Sequence, residues 1–241
     1  MIHTSVDGDV AVIELDRPER RNALDTAQCL RIAEAIRVLP DDGARAVVIT
    51  GRGSSFCSGA DFGEVHSEGF RAALTDMLIA VDTAPVPVIA AVNGPAIGGG
   101  TQLAIAADLR VAAPEAAFMV PTARLGLAVD PWTIRRLAQL AGGGTARAML
   151  IGCDTIDARL AHTRGLVDRL GTLEDAAAWA ADLATAAPLT LRYNALTLDR
   201  EDLPVDHPEL LAAFEGCWLS EDRFEGERAR AQKRPPVFQG R

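Results

Sequence analysis

The chain has 241 residues, 49% of them apolar, and a formal charge of -9 at neutral pH. That length suits one large domain, or one domain with a small appendage, and either can bury a sizeable core. The acidic balance argues against the broad basic footprint that nucleic-acid binding requires, and no stretch approaches the roughly 18 uninterrupted apolar residues of a membrane span.

MIHTSVDGDV lacks the basic start and apolar centre of a secretory signal, so a cytoplasmic location is expected. Alternation in DVAVIEL (9–15), after HTSV and the Asp7-Gly8 turn, predicts a hairpin. Asp25 is placed to cap a helix whose buried stripe is Cys29, Ile32, Ile36 and Leu39, spaced three and four apart. ARAVVIT (44–50) and PVIAAV (87–92) read as short buried strands. Between them lie the small-residue loop GRGSSFCSGADFGE and an amphipathic helix marked by Phe70, Leu74, Met77, Leu78 and Val81. After GPAIGGGTQLA (94–104) come a helix, a strand at LRVAA (109–113) and AFMV (117–120). WTIRRLAQLAG then predicts a helix with Ile134, Leu137, Ala138 and Ala141 on one face and a glycine stop. Two further strand and helix units are expected around 155–170 and 173–185, and from about residue 188 the pattern is helical. The expected architecture is α/β, with a parallel core over residues 1–190 and a helical region over 191–241.

Cys29, Cys57, Cys153 and Cys217 are scattered, with no CxxC pair and no histidine at ligand spacing, so no zinc site or disulfide framework is expected. His3, His66, His162 and His207 stand in no motif, and His66 is expected to face solvent.

The chemistry concentrates in two loops. A strand that runs through Gly98, Gly99 and Gly100 into a helix presents first-turn N–H groups with no intrahelical partner, at the positive end of the helix dipole. Taken alone, the glycines equally permit a tight turn or close packing. A phosphate loop is a poor alternative, since GxxxxGK[ST] is absent. SSFCSGADF (54–62) also follows a buried strand, so a second backbone N–H can converge with the first on one oxygen, as an oxyanion hole does.

FCSGADF paired with AAVNGPAIGGGTQLAIAADLRVA resembles the crotonase family, also called the enoyl-CoA hydratase/isomerase family. The likeness runs from DRPERRNAL to the terminal KRPPVFQG, and is strongest to mycobacterial members. The resemblance implies a spiral of repeated ββα units, homotrimers or hexamers built as dimers of trimers, and an acyl-CoA thioester as ligand with no prosthetic group or metal. It implies that the backbone N–H groups of Ala60 and Gly99 hold the thioester oxygen. Arg20, Arg21, Ala23, Ser58 and the Ala60–Asp61–Phe62 run match the family's CoA-contacting segments, and Phe238 matches an aromatic that in family trimers packs toward a neighbour's CoA.

Family hydratases use two glutamates, at positions that here hold Gln102 and Thr122. Neither side chain titrates near neutral pH, so the expected function is acyl-CoA binding with little hydration. Mycobacterial members that lack both glutamates are associated with supplying acyl groups to mycolic-acid synthesis, which implies fatty-acid synthesis enzymes as partners. Asp130 reads first as a helix cap before Pro131. Its functional alternative is the acid or base of an active hydratase/isomerase or a thioesterase. Dehalogenation, for which a family member uses a histidine on the helix before PVIAAV, is not expected, because residues 70–86 contain none. An RNA-binding role, known for a few members, is opposed by the charge balance.

Overall fold

A computed structural model describes residues 1–200 and 203–241. The hairpin forms as the alternation predicts, with β1 (Ile2–Asp7) antiparallel to β2 (Val10–Leu15) and Gly8 at φ 57° in the turn. In α1 (Thr26–Val38) the Asp25 carboxylate accepts from the Gln28 N–H at 2.8 Å, and the predicted stripe of Cys29, Ile32, Ile36 and Leu39 is buried. Then come β3 (Ala46–Gly51), α2 (Glu68–Asp82), β4 (Val88–Val92), β5 (Pro95–Ile97), α3 (Gly99–Ala106), β6 (Leu109–Ala112) and β7 (Ala117–Met119). A 3-10 segment over Pro121–Leu125 leads to α4 (Pro131–Leu150), β8 (Ile156–Asp157), α5 (Ala158–Thr163), β9 (Arg169–Leu170), α6 (Leu173–Ala184), α7 (Pro188–Asp199), α8 (Pro208–Leu219) and α9 (Glu221–Gln232).

The larger sheet has the order β1-β2-β3-β4-β6-β9, parallel from β2 onward. All residues of β3 and β4 are buried because both faces are covered, which is why these strands are apolar throughout rather than alternating. Val47 and Ile49 face the main core with α1 and α2, whereas Ala46 and Val48 pack with Ala176, Ala180 and Ala184 of α6. The smaller sheet is β5-β7-β8, and two isolated bridges extend it, Cys57 to Ala96 and Leu24 to Ala60. Four strands of the large sheet, β2, β3, β4 and β6, therefore each feed a short piece of the small one and then a helix. That repeat brings residues 24, 57–60, 95–99 and 117–119 side by side.

Several sequence expectations need correction. β5 lies inside the stretch read as glycine loop; at three residues it is too short for alternation to register. The helix from Pro131 meets its glycine stop at Gly142 (φ 77°, ψ 152°), which leaves helical geometry, but an unexpected second helical stretch follows directly as far as Leu150. Ile134 is 45% exposed and is not part of the buried face. The unit at 173–185 is a helix without a strand.

Two arginines tie the layers together. Arg110 in β6 is 2% exposed, donating to the carbonyls of Leu166 (2.8 Å), Ala107 (3.0 Å) and Asp108 (3.1 Å) and pairing with Asp168 at 3.0 Å. Arg45 donates to the carbonyls of Ala184, Ala186 and Phe238, which docks the C-terminal tail on the core. Within the helical region Tyr193, Phe214 and Trp218 stack at centroid spacings of 5.8 and 6.1 Å. Trp218, Leu219 and Phe224 remain 57%, 80% and 47% exposed.

Candidate functional site

The two small-residue loops meet across the short sheet. Leu24 N–H donates to Gly59 O (2.8 Å), Asp61 N–H to Leu24 O (2.7 Å), Cys57 N–H to Pro95 O (3.1 Å) and Ile97 N–H to Cys57 O (2.9 Å). In this lattice the N–H groups of Ala60 and Gly99 find no acceptor among the described residues.

Three glycines stand together for three different reasons. Gly98 has φ 53° and ψ -112°, a conformation that L side chains rarely adopt, while its N–H donates to Met119 O at 2.8 Å. Gly100 packs so closely that a Cβ there would lie 2.1 Å from the Cys57 carbonyl oxygen. Gly99 needs neither explanation, since a Cβ would meet nothing nearer than Leu24 Cδ1 at 3.5 Å. That Cβ would stand 3.6 Å from Ala60 N, and a Cβ on Gly59 would stand 3.5 Å from Gly99 N. The two unpaired amides are thus neighbours, and the missing side chain at Gly99 leaves the approach to Ala60 N–H open. Gly99 N–H lies at the start of α3, where the helix dipole favours negative charge, and Ala60 N–H reaches the same place from the loop after β3.

Gln102, one turn into α3, is buried, and its side-chain NH2 is engaged. Its Nε2 donates to Asp130 Oδ2 at 3.0 Å and to Thr133 Oγ1 at 2.7 Å. The amide orientation is dictated by chemistry, because only the NH2 group can face a carboxylate. Asp130 is the cap of α4, as its place before Pro131 predicts: Thr133 donates its N–H to Oδ1 (2.9 Å) and its hydroxyl to Oδ2 (2.6 Å). Thr122 lies in the 3-10 turn after β7, half-buried, and among the described residues no hydrogen bond joins it to Gln102 or Asp130.

On the other side of the amides the segment 17–25 is held by two residues that sequence reasoning missed. Asn22 (φ 57°, fully buried) accepts from Arg17 N–H and donates to the carbonyls of Arg52 and Ser55. The Arg17 guanidinium binds Ala23 O, Asp25 Oδ2 and Gln28 Oε1, and reaches Asp61 Oδ2 at 3.4 Å. The only signal for either was a polar residue at each end of RPERRN. Ser58 donates its N–H to Arg21 O and its hydroxyl to Arg20 O, so Arg20, Arg21, Ala23, Ser58, Ala60 and Asp61 are brought together. The Gly63 N–H, and after it Arg17, hold the Asp61 carboxyl below the usual range. The side chains of Arg20 and Arg21 are exposed and Phe62 is 73% exposed, leaving them open to a ligand. Phe238 is not among them; within the chain it packs on α9 beside Gly226 and lines a cavity of about 390 Å³ with Tyr193, Phe214 and Trp218. His66 is exposed, as expected.

A cavity of about 190 Å³ opens beside Asp130, lined by Thr75, Leu78, Ile79 and Asp82 of α2 and by Trp132. Burial pushes the Asp82 carboxyl up to about 6, and Asp199 adds to the rise. The folded chain then keeps a proton that the unfolded chain releases near pH 4, so this contribution to stability is full below about pH 4 and is lost as pH rises through about 6. Asp82→Asn should accordingly gain in melting temperature over wild type between those values and hold a constant gain above them. A gain of the same size at pH 4 would contradict this. Among the described residues no group of three or more His, Cys, Asp or Glu side chains is placed to hold a metal, and no helix is long and apolar enough to cross a membrane.

The fold is mixed α/β and of the crotonase class. The chain belongs to the enoyl-CoA hydratase/isomerase family, whose model matches residues 5–240. It is 46% identical, over 236 residues and 96% of each chain, to the Mycobacterium tuberculosis protein named "probable enoyl-CoA hydratase echA6". It is 33% identical to the carnitinyl-CoA dehydratase of Salmonella typhi, over 100% of this chain and 98% of that one. Among solved structures, an enoyl-CoA hydratase/isomerase family protein from Hyphomonas neptunium superposes with a TM-score of 0.91 at 31% identity, covering 100% of this chain and 98% of that one. An enoyl-CoA hydratase from Polaromonas sp. JS666 gives 0.89 at 29% identity, covering 99% of each.

Proposed function

We propose that this protein binds fatty acyl-CoA thioesters, holding the thioester carbonyl between the Ala60 and Gly99 N–H groups, and that it hydrates enoyl thioesters poorly or not at all. One observation carries the second half: both donors of the Gln102 amide are spent on Asp130 and Thr133. Hydration needs a water deprotonated at the β-carbon and a proton delivered to the α-carbon. An amide that bridges a helix cap does neither, and Thr122 offers no titrating group. The loss of either step is worth roughly 100- to 10,000-fold. Two amides in a dry cleft still bind a resting carbonyl, so affinity survives where turnover does not.

In this reading the CoA phosphates meet Arg20 and Arg21, the adenine lies near Ala60–Asp61–Phe62, and the acyl chain enters the cavity between α2 and Trp132. The core over 1–190 carries the site, and the region over 191–241 assembles trimers or pairs of trimers through the exposed Trp218, Leu219 and Phe224. Phe238 packs toward a neighbour's ligand in that assembly. The physiological partners are enzymes of fatty-acid synthesis that receive the acyl group.

The affinity half is tested with octanoyl-CoA against S-octyl-CoA, the thioether without a carbonyl. Octanoyl-CoA should bind tighter by about tenfold, as two modest hydrogen bonds require; equal affinity would remove the amides from the account. Restoring one glutamate also tests the argument. Gln102→Glu alone should stay inactive, because its carboxylate would face Asp130 at hydrogen-bond distance and one of the pair must then hold a proton. Gln102→Glu with Asp130→Asn and Thr122→Glu should gain measurable hydration.

A second reading rests on Asp130 lining the cavity. There it serves as acid or base for double-bond isomerisation or thioester hydrolysis. Asp130→Asn should then abolish turnover and spare acyl-CoA affinity, and unchanged turnover would end that reading.

A further inference from the structure

The two amides that hold the carbonyl in the reading above come from different parts of the chain, and only one of them has a helix behind it. Gly99 N–H opens α3, whose eight residues are all buried. Ala60 N–H lies on the loop between β3 and α2, outside any named strand or helix. Its direction is set by Leu24, whose N–H donates to Gly59 O (2.8 Å) and whose carbonyl accepts from Asp61 N–H (2.7 Å), one bond on each side of Ala60. A shift of Leu24 therefore turns the Ala60 N–H. Arg17 grips both partners of that bridge. Its Nη1 donates to Ala23 O (3.1 Å), just before Leu24, to Asp25 Oδ2 (2.7 Å), just after it, and to Gln28 Oε1 (3.2 Å). Its Nη2 reaches Oδ2 of Asp61, the residue after Ala60, at 3.4 Å. Asp25 also caps α1 by accepting from Gln28 N–H (2.8 Å), so the grip is anchored to a helix. The side chains of Arg17, Asp25 and Asp61 are 19%, 23% and 20% exposed, so water and salt screen these pairs less than pairs on the open surface. Among the described residues no other cation forms an ion pair with Asp25 or Asp61.

We propose that Arg17 is a positioning residue for the carbonyl site: it holds the Ala60 N–H in line with the Gly99 N–H and so sets how well the protein tells a thioester carbonyl from a methylene. The inference rests on the acyl-CoA reading above. A hydrogen bond weakens steeply with angle and length, and a paired-donor site works only when both donors keep their aim to within roughly 0.5 Å. Helix α3 supplies that rigidity for Gly99. Arg17 supplies it for Ala60, with its donors turned to acceptors of the chain itself.

Calorimetric titration of the full-length protein with octanoyl-CoA and S-octyl-CoA tests this in the wild type, Arg17→Gln and Arg17→Lys. The readout is the ratio of the two affinities, because any damage to the grip on the CoA half lowers both alike. The wild-type ratio of about tenfold should fall to about threefold or less in Arg17→Gln, as the loss of one of two similar hydrogen bonds requires. Arg17→Lys keeps the charge and should keep the fold, but one ammonium cannot span four acceptors, so its ratio should also fall below the wild type's. That variant carries the test even if the glutamine variant does not fold. An unchanged ratio in the folded variants, including a parallel loss of affinity for both ligands, overturns the role of Arg17 and leaves the acyl-CoA reading intact. Equal affinity of the wild type for the two ligands overturns the carbonyl site and this inference with it.

Discussion

Gly99→Ala should fold like the wild type and lose at least about tenfold in octanoyl-CoA affinity, with far less effect on S-octyl-CoA. Folding is spared because the added Cβ meets only ordinary contacts, 3.5 Å to Leu24 Cδ1 and 3.6 Å to Ala60 N, and because Gly99 carries no positive φ. Affinity is not spared, because the same methyl fills the space above the Ala60 N–H that a carbonyl oxygen would occupy. Two hydrogen bonds of about 0.7 kcal/mol each, toward the low end of the usual range, give the lower bound, and steric exclusion adds to it. The neighbouring glycines serve as controls of a different kind. Gly100→Ala drives a Cβ to 2.1 Å from Cys57 O and should damage the fold itself. Melting curves and titrations on both variants separate a lost site from a lost structure. Unchanged affinity in Gly99→Ala would mean that the thioester oxygen lies elsewhere.

Arg110→Ala should cost about 3 kcal/mol or more of stability, a large share of the 5–15 kcal/mol typical of a domain. Arg110 is 2% exposed and satisfies the carbonyls of Leu166, Ala107 and Asp108 as well as Asp168. Truncation leaves those acceptors short of donors and opens a cavity between β6 and β9. Arg110→Lys should recover only part of the loss, since one ammonium cannot reach three carbonyls and a carboxylate that the guanidinium fork spans. Urea denaturation of the two variants measures both values. A loss below about 1 kcal/mol for the alanine would show that the buried fork contributes little beyond its own desolvation.

These two cases mark what was and was not legible in the sequence. Gly99 and Ala60 were singled out by the resemblance of GPAIGGGTQLA and FCSGADF to the family, since the glycines alone equally permit a tight turn or close packing. The α1 stripe and the caps at Asp25 and Asp130 were legible because helix period and capping chemistry are local. Arg110 was not, because a charged residue in LRVAA gives no sign that it is buried; its partners lie up to 58 residues away. Gln102 bonds to Asp130 across 28 residues, so its replacement was visible while its engagement was not. Arg17 and Asn22 were missed for the same reason, since they organise loops whose proximity exists only after the spiral closes. β5 was hidden by its three-residue length, and the helical stretch beyond Gly142 by a triple glycine that signals only the stop.

The most direct test of the whole account is to mix the wild-type protein in excess with trans-2-octenoyl-CoA and follow the enone absorbance together with the bound fraction. Saturable binding with the enone intact over minutes is the predicted result. Hydration at about 1 per second or faster, within the range of ordinary enzymes, would contradict the claim that Gln102 and Thr122 have left a binding cleft without its proton carriers.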